Sequence, residues 1–257
     1  MSALRVSEHG RVRVITIDRP GTRNAIDAAT ASELADLFEA FEGDDSVDVG
    51  VLTGAGGTFC SGADLKAIAS GEVNRVDPDG RGPLGPTRLL LSKPVIAAVE
   101  GHAVAGGLEL ALWCDLRVAG EGATLGVFCR RFGVPLVDMG TIRLPRLIGH
   151  SRAMDLILTG RGVGAEEALS MGLVNRVVPT GSSLDAAITL ASDLAALPQT
   201  CLRNDRLSAI EQWGLSEAEA IRNEIRHGLA TIGSGETAAG AMSFDTGAGR
   251  HGGSLEA

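Results

Sequence analysis

"KPVIAAVEGHAVAGGLELALWCDLRVAG" (Lys93–Gly120) decides how this chain is built. It opens on a Val, Ile and Ala run that reads as a buried strand. A glycine turn follows, then an apolar helix from about Gly106, then a second strand in "CDLRVAG". Strand, turn, helix and strand in so short a span belong to an α/β fold. One residue breaks the apolar pattern. Glu109 lies inside the helix, just after Gly106 and Gly107. A carboxylate buried there without a partner costs several kcal/mol. Its purpose, and the purpose of the glycines before it, has to be found in the rest of the chain.

Working outward, the same layout recurs. "VDVGVLTGAGG" (Val47–Gly57) is a buried strand running into a glycine turn, and "CSGADLKAIAS" then starts a short helix near Ala63. "RVRVITIDRP" (Arg11–Pro20) alternates and is rich in β-branched residues, as a strand requires. In "DAATASELADLFEAFEGDD" the residues Leu34, Leu37, Phe38 and Phe41 share a helical face. Asp27 is its expected N-cap and Gly43 its stop. Residues 71–86, rich in Gly, Pro and charge, read as a mobile surface loop and a candidate lid.

From about Gly149 helices dominate: "SRAMDLILTG", "AEEALSMG", "SLDAAITLASDLAAL" and "LSEAEAIRNEIRHGLATI". Only "LVNRVVP" (Leu173–Pro179) reads as a strand there, and the tail "GAGRHGGSLEA" reads as loose.

The chain has 257 residues and a formal charge of −9, which disfavours nucleic acid and anionic membranes as partners. No apolar run is long enough to span a bilayer. Cys60, Cys114, Cys129 and Cys201 form no C-x-x-C pair, so they read as reduced thiols of a cytoplasmic protein. "GAGGTF" (Gly54–Phe59) starts like a dinucleotide loop but puts Phe59 where the third glycine belongs. The five histidines have no metal-ligand spacing, and His102 reads as a turn residue. Neither a phosphate-binding P-loop nor a nucleophile elbow is present.

Two segments do carry chemistry. In "TFCSGADLK" and "VEGHAVAGGLELA" small residues precede a helix, leaving backbone N–H groups without helical partners. Two such amides converging on one point make an oxyanion hole. In this order and spacing they resemble the crotonase (enoyl-CoA hydratase/isomerase) superfamily. The resemblance extends through "IDRPGTRNAID", "GTFCSGADL", "AVEGHAVAGGLELALWCDLRVA", "GTIRLPRLIGHSRAMDLILTGRGVGAEEALSMGLVNRVVP" and "GAMSFDTG", nearly the whole chain.

The resemblance implies an α/β spiral of ββα units over residues 1–195. A helical region, residues 196–257, would follow it, assemble trimers or dimers of trimers, and complete the CoA site. It implies an acyl-CoA substrate, with CoA as part of that substrate and no separate cofactor. The amides of Ala63 and Gly106 would receive the thioester oxygen. CoA would lie along Arg23, Asn24 and Ala25 and along Ser61, Asp64, Leu65 and Lys66. Arg23 and Lys66 are either phosphate or adenine contacts or solvated surface charges.

Glu109 matches the first of the family's two catalytic glutamates, three residues past the oxyanion glycine and on the same helical face. The second is expected in "FCRRFG" (Phe128–Gly133), where Cys129 stands in its place. Asp138, in "VPLVDMGT", is the available substitute. It is either a catalytic carboxylate, as in dienoyl-CoA isomerases with a similar setting, or the N-cap of the helix opening at Gly140. Arg130 and Arg131 bind a ligand anion or form salt bridges at a subunit interface. The leading expectation is an enoyl-CoA hydratase. An enoyl-CoA or dienoyl-CoA isomerase and a non-catalytic acyl-CoA binder are the alternatives.

Overall fold

In the computed structural model, which describes residues 2–247, the chain begins with a hairpin. β1 (Leu4–His9) and β2 (Val12–Ile17) pair antiparallel through a turn at Gly10, whose φ is +60°. α1 (Ala28–Glu42) follows. The Asp27 side chain caps it by accepting from the Thr30 amide, and Leu34, Phe38 and Phe41 are buried. β3 (Val49–Gly54), α2 (Leu65–Ala69), β4 (Val95–Val99), β5 (His102–Val104) and α3 (Gly106–Trp113) come next. Then come β6 (Leu116–Gly120), β7 (Thr124–Gly126), α4 (Gly140–Ile148), α5 (His150–Thr159), β8 (Gly162–Gly164), α6 (Ala165–Ser170), β9 (Arg176–Val178) and α7 (Ser183–Ala195).

β1-β2-β3-β4-β6-β9 form one sheet, parallel from β2 onward. β5-β7-β8 form a second. β3 and β4 are apolar along their length because both faces are covered, as parallel sheets require. Between β4 and β5 the chain turns a corner at Gly101, with φ +52°, and passes from the large sheet to the small one. A Cβ there would lie 2.3 Å from the Gly57 carbonyl oxygen, so the corner admits only glycine. Strand, corner, short strand and helix repeat through β4-β5-α3 and β6-β7-α4. This is the spiral of ββα units that the resemblance implies.

The chain divides into two compact units, one within residues 1–194 and the other from residue 195. The second contains α8 (Gln199–Glu211), α9 (Glu217–Gly233) and α10 (Glu236–Thr246). Ser216 and Glu219 form a capping box at the start of α9. Among the described residues no helix is long and apolar enough to cross a membrane. Apart from Gly247, the tail read as loose lies outside the described residues.

Seven elements among the described residues differ from the sequence reading: β1, β5, β7, β8, α8 and α10 are absent from it, α2 starts elsewhere, and His102, read as a turn residue, opens β5. α2 starts at Leu65, capped by Asp64, and not at Ala63. β8 is too short to show an apolar pattern; its pairing with β7 defines it. α8 has no buried residue, so it lacks the apolar stripe by which a helix is recognised.

Candidate active site

Ala63 sits in an extended segment bridged in parallel to Ile26. The Ile26 amide donates to the Gly62 carbonyl at 2.8 Å, and the Asp64 amide donates to the Ile26 carbonyl at 3.0 Å. Neighbouring peptide groups in an extended chain point to opposite sides. The Ala63 N–H therefore faces away from Ile26, and among the described residues it has no acceptor. The bridge frees this amide, not the helix start the sequence pointed to. The Gly106 N–H is free for the expected reason, as the first amide of α3.

The two segments touch. A Cβ on Gly62 would lie 2.7 Å from the Gly106 nitrogen. Ala105, just before it, is held at φ 55° and ψ −126°, a conformation costly for a residue with a Cβ. Gly107 has a separate duty. A Cβ there would stand 2.0 Å from the Cys60 carbonyl oxygen, a backbone atom that cannot move aside. Gly107→Ala is expected to cost about 3 kcal/mol by overpacking, measurable as a lowered denaturation midpoint.

These amides open on a cavity of about 610 Å³ whose lining includes Ala63, Gly106, Glu109, Cys129 and Asp138. Glu109 is 2% exposed. Its Oε1 accepts from the Asp138 amide at 2.9 Å and from the Gly140 amide, the first of α4, at 2.7 Å. Gly140 permits this approach, since a Cβ there would lie 2.7 Å from the same oxygen. Burial, then the charge of Asp138, pushes the Glu109 carboxyl up to about 7, against the pull of the two amides.

Asp138 is buried too, and its side chain does not cap α4; Met139 occupies the cap position with no side-chain hydrogen bond. Asp138 Oδ1 instead accepts from the Leu84 amide at 3.0 Å and from the Thr87 hydroxyl. The N-cap reading is therefore set aside: the carboxylate reaches across to the turn at residues 82–87. Burial raises its pKa. The Thr87 hydroxyl, the Leu84 amide, Arg88 and Arg143 oppose that by favouring the charge. Arg143 braces the arrangement, donating to the Thr87 carbonyl at 2.7 Å and the Asp138 carbonyl at 3.2 Å.

Of the expected CoA contacts, Arg23, Ala25, Ser61, Asp64, Leu65 and Lys66 line the cavity. Asn24 does not, and its expected ligand contact is corrected. Its Oδ1 accepts from the Arg19 amide, and its Nδ2 donates to the Ala55 and Thr58 carbonyls, all at 2.9 Å or less. With 0% exposure, it has no group left for a ligand. Asp64 lines the cavity but serves the scaffold, capping α2 with Oδ1 and pairing with Arg19 through Oδ2 at 3.2 Å.

Arg130 and Arg131 are exposed and also make contacts within the chain. They donate to the Ile157 and Gly160 carbonyls at the end of α5, and Arg131 stacks on Phe128. The loop at residues 71–86 supplies Val73, Asn74, Val76, Pro83 and Leu84 to the cavity wall. The sequence reading missed Asn74, Leu84, Thr87 and Arg143. No local motif marks them; only the Gly-Pro pairs around Leu84 hint at a fixed turn. Among the described residues no group of three or more His, Cys, Asp and Glu side chains is placed to hold a metal ion.

Known proteins share this chain's fold and much of its sequence. The enoyl-CoA hydratase/isomerase family pattern matches residues 7–244. Enoyl-CoA hydratase EchA19 of Mycobacterium tuberculosis is 34% identical over 93% of this chain and 92% of its own length. Carnitinyl-CoA dehydratase of Escherichia coli K12 is 41% identical over 75% of this chain and 74% of its own. The crystal structure of enoyl-CoA hydratase EchA1 from Mycobacterium marinum superposes with a TM-score of 0.90 at 38% identity, covering 95% of this chain and 96% of that one. Fold, oxyanion segments and sequence likeness converge, and the chain belongs to the enoyl-CoA hydratase/isomerase family of the crotonase superfamily.

Proposed function

We propose that this protein hydrates 2-enoyl-CoA thioesters, placing hydroxyl on C3 and hydrogen on C2. The observation that carries the reading is one cavity with two free amides, Ala63 and Gly106, beside two buried carboxylates, Glu109 and Asp138. The thioester oxygen sits on the amides. Charge grows there as the enolate forms, so the amides favour the transition state over the ground state.

The two environments assign the carboxylates. Asp138 is surrounded by groups that favour its charge, whereas its charge in turn holds the Glu109 proton on. With one proton between them, it resides on Glu109. Asp138 takes a proton from water as the water oxygen bonds to C3 and the π electrons move onto the thioester oxygen. Glu109 then delivers its proton to C2 as the enolate collapses. Proton transfer from Asp138 to Glu109, directly or through solvent, resets the pair. Glu109 lies one helical turn past Gly106 and is thus placed for C2, the carbon next to the carbonyl.

The test is loss of the enoyl-thioester absorbance when purified protein meets crotonyl-CoA. Silence on several chain lengths, with conversion of 3-enoyl thioesters instead, would make it an isomerase. Silence on both, with CoA esters still bound, would make it a binder. The pair also predicts a pH profile. Hydration should peak where the pair carries one proton, and kcat/KM should fall above about pH 7 as Glu109 ionises. A flat alkaline limb to pH 9 would overturn the assignment of Glu109 as acid.

Arg23 and Lys66, exposed at the cavity wall, supply positive charge for the CoA phosphates. A homotrimer, or a dimer of trimers, through the C-terminal helices is supported by α9. Ile221, Ile225, Leu229 and Ile232 form an exposed apolar stripe along it. Light scattering of the purified protein measures that state. A cytoplasmic location is supported by the four free cysteines.

A further inference from the structure

Asp138 has one oxygen held and one free. Its Oδ1 accepts from the Leu84 amide at 3.0 Å and from the Thr87 hydroxyl. Two donors occupy the two lone-pair sites of that oxygen. Oδ2 has no donor among the described residues, and it is open to the cavity that Asp138 lines. Glu109 is arranged in the same way, with two amides on Oε1 and none on Oε2.

Thr87 is fully buried, and its hydroxyl hydrogen goes to Oδ1. The turn before it sets that contact. Gly82 and Gly85 exchange amide-to-carbonyl hydrogen bonds at 3.0 and 2.9 Å. A Cβ on Gly82 would overlap the Thr87 hydroxyl oxygen and lie 2.9 Å from Asp138 Oδ1, so glycine makes room for the pair. Arg143 fixes Thr87 from the other side, donating to its carbonyl at 2.7 Å. Leu84, inside the turn, also lays its side chain against Gly106, where a Cβ would overlap Leu84 Cδ1. One turn thus touches the oxyanion glycine and the proposed base.

We propose that Thr87 is the positioning residue of the base: with the Leu84 amide it fills Oδ1, so that Oδ2 alone is left to take the proton from the attacking water. The water oxygen bonds to C3, its proton passes to Oδ2, and the π electrons move onto the thioester oxygen. A hydroxyl that donates to a carboxylate also favours its charged form. The charged and titratable groups around Asp138 are Glu109 on α3, Arg143 on α4, Arg88 just past Thr87 and the Cys60 thiol, and a change at Thr87 replaces none of them. The proposal rests on the hydratase reading for its part in turnover, but not for the hold on Asp138.

The test compares Thr87→Val, which keeps the shape and loses the hydroxyl, with Thr87→Ser, which keeps the hydroxyl. In Thr87→Val the acid limb of kcat/KM for crotonyl-CoA should move up by about one pH unit, with the alkaline limb in place. Thr87→Ser should return it. A uniform loss of rate with an unmoved acid limb is the mark of a structural residue and overturns the proposal. So does a Thr87→Ser protein that behaves like Thr87→Val.

A second readout needs no turnover. In protein with carbon-13 in its aspartate carboxyls, the Asp138 resonance is assigned by its loss in Asp138→Asn. Its midpoint should rise by about one pH unit in Thr87→Val, and an unchanged midpoint overturns the proposal. If Thr87→Val does not fold, the Thr87 hydroxyl proton of the unsubstituted protein should still shift as Asp138 titrates; a hydroxyl proton indifferent to that titration overturns the proposal. If crotonyl-CoA is not hydrated by the unsubstituted protein while the Asp138 midpoint moves, the hydratase reading fails and the hold of Thr87 on Asp138 stands.

Discussion

Glu109→Gln is expected to lower kcat for crotonyl-CoA hydration about 1,000-fold while changing KM little. Gln keeps the shape and an acceptor oxygen for the Asp138 and Gly140 amides, so the cavity should survive. What it loses is the proton for C2. The same substitution has a second expected effect, on stability. Folding raises the Glu109 carboxyl from its ordinary 4.5 to about 7. Below the lower value both states are protonated and nothing depends on pH. Between the two, the unfolded chain is ionised and the folded one is not, so stability falls as pH rises. Above about 7 the full penalty remains, about 3 kcal/mol. Gln removes it. The Tm of the variant should exceed that of the unsubstituted protein by several degrees at pH 8 and converge with it toward pH 4.5. A rate within tenfold of the original would remove Glu109 from the chemistry.

Asp138→Asn is expected to cost about 100-fold to 1,000-fold in kcat. Asn still offers an oxygen to the Leu84 amide and the Thr87 hydroxyl, so the turn they define should hold. The base is lost, and with it the acid limb of the pH profile. Parallel measurement of rate and thermal midpoint separates chemistry from architecture. An unchanged rate with a lowered midpoint would make Asp138 a tie for residues 82–87 and nothing more.

Much of this was legible in the sequence, because the site's glycines leave local signatures. Gly106, Gly107 and Glu109 share one helix start, and Asp27, Leu34 and Phe38 announce α1. The Ala63 amide is free, but for a reason other than the one the sequence offers: a helix start leaves the same small-residue signature as a bridge to Ile26. Asn24 was misread because an Asn just after a Pro-Gly turn looks available until its three partners, Arg19, Ala55 and Thr58, are seen around it. Asn74, Leu84 and Thr87 could not be read at all. The roles of Leu84 and Thr87 depend on Asp138, more than fifty residues away, and sequence periodicity carries no information about such pairings. Asn74 depends in the same way on Ile26, far before it in the chain.

Cys129 has a chemical consequence for the life of the protein. Enoyl thioesters are electrophiles, and a thiolate facing them would add to C3 and end turnover with a thioether. Burial above all raises the Cys129 thiol above its usual range, so at neutral pH it stays a neutral, weakly nucleophilic SH. The same apolar packing that closes the cavity wall thus guards the thiol against alkylation by an electrophilic ligand.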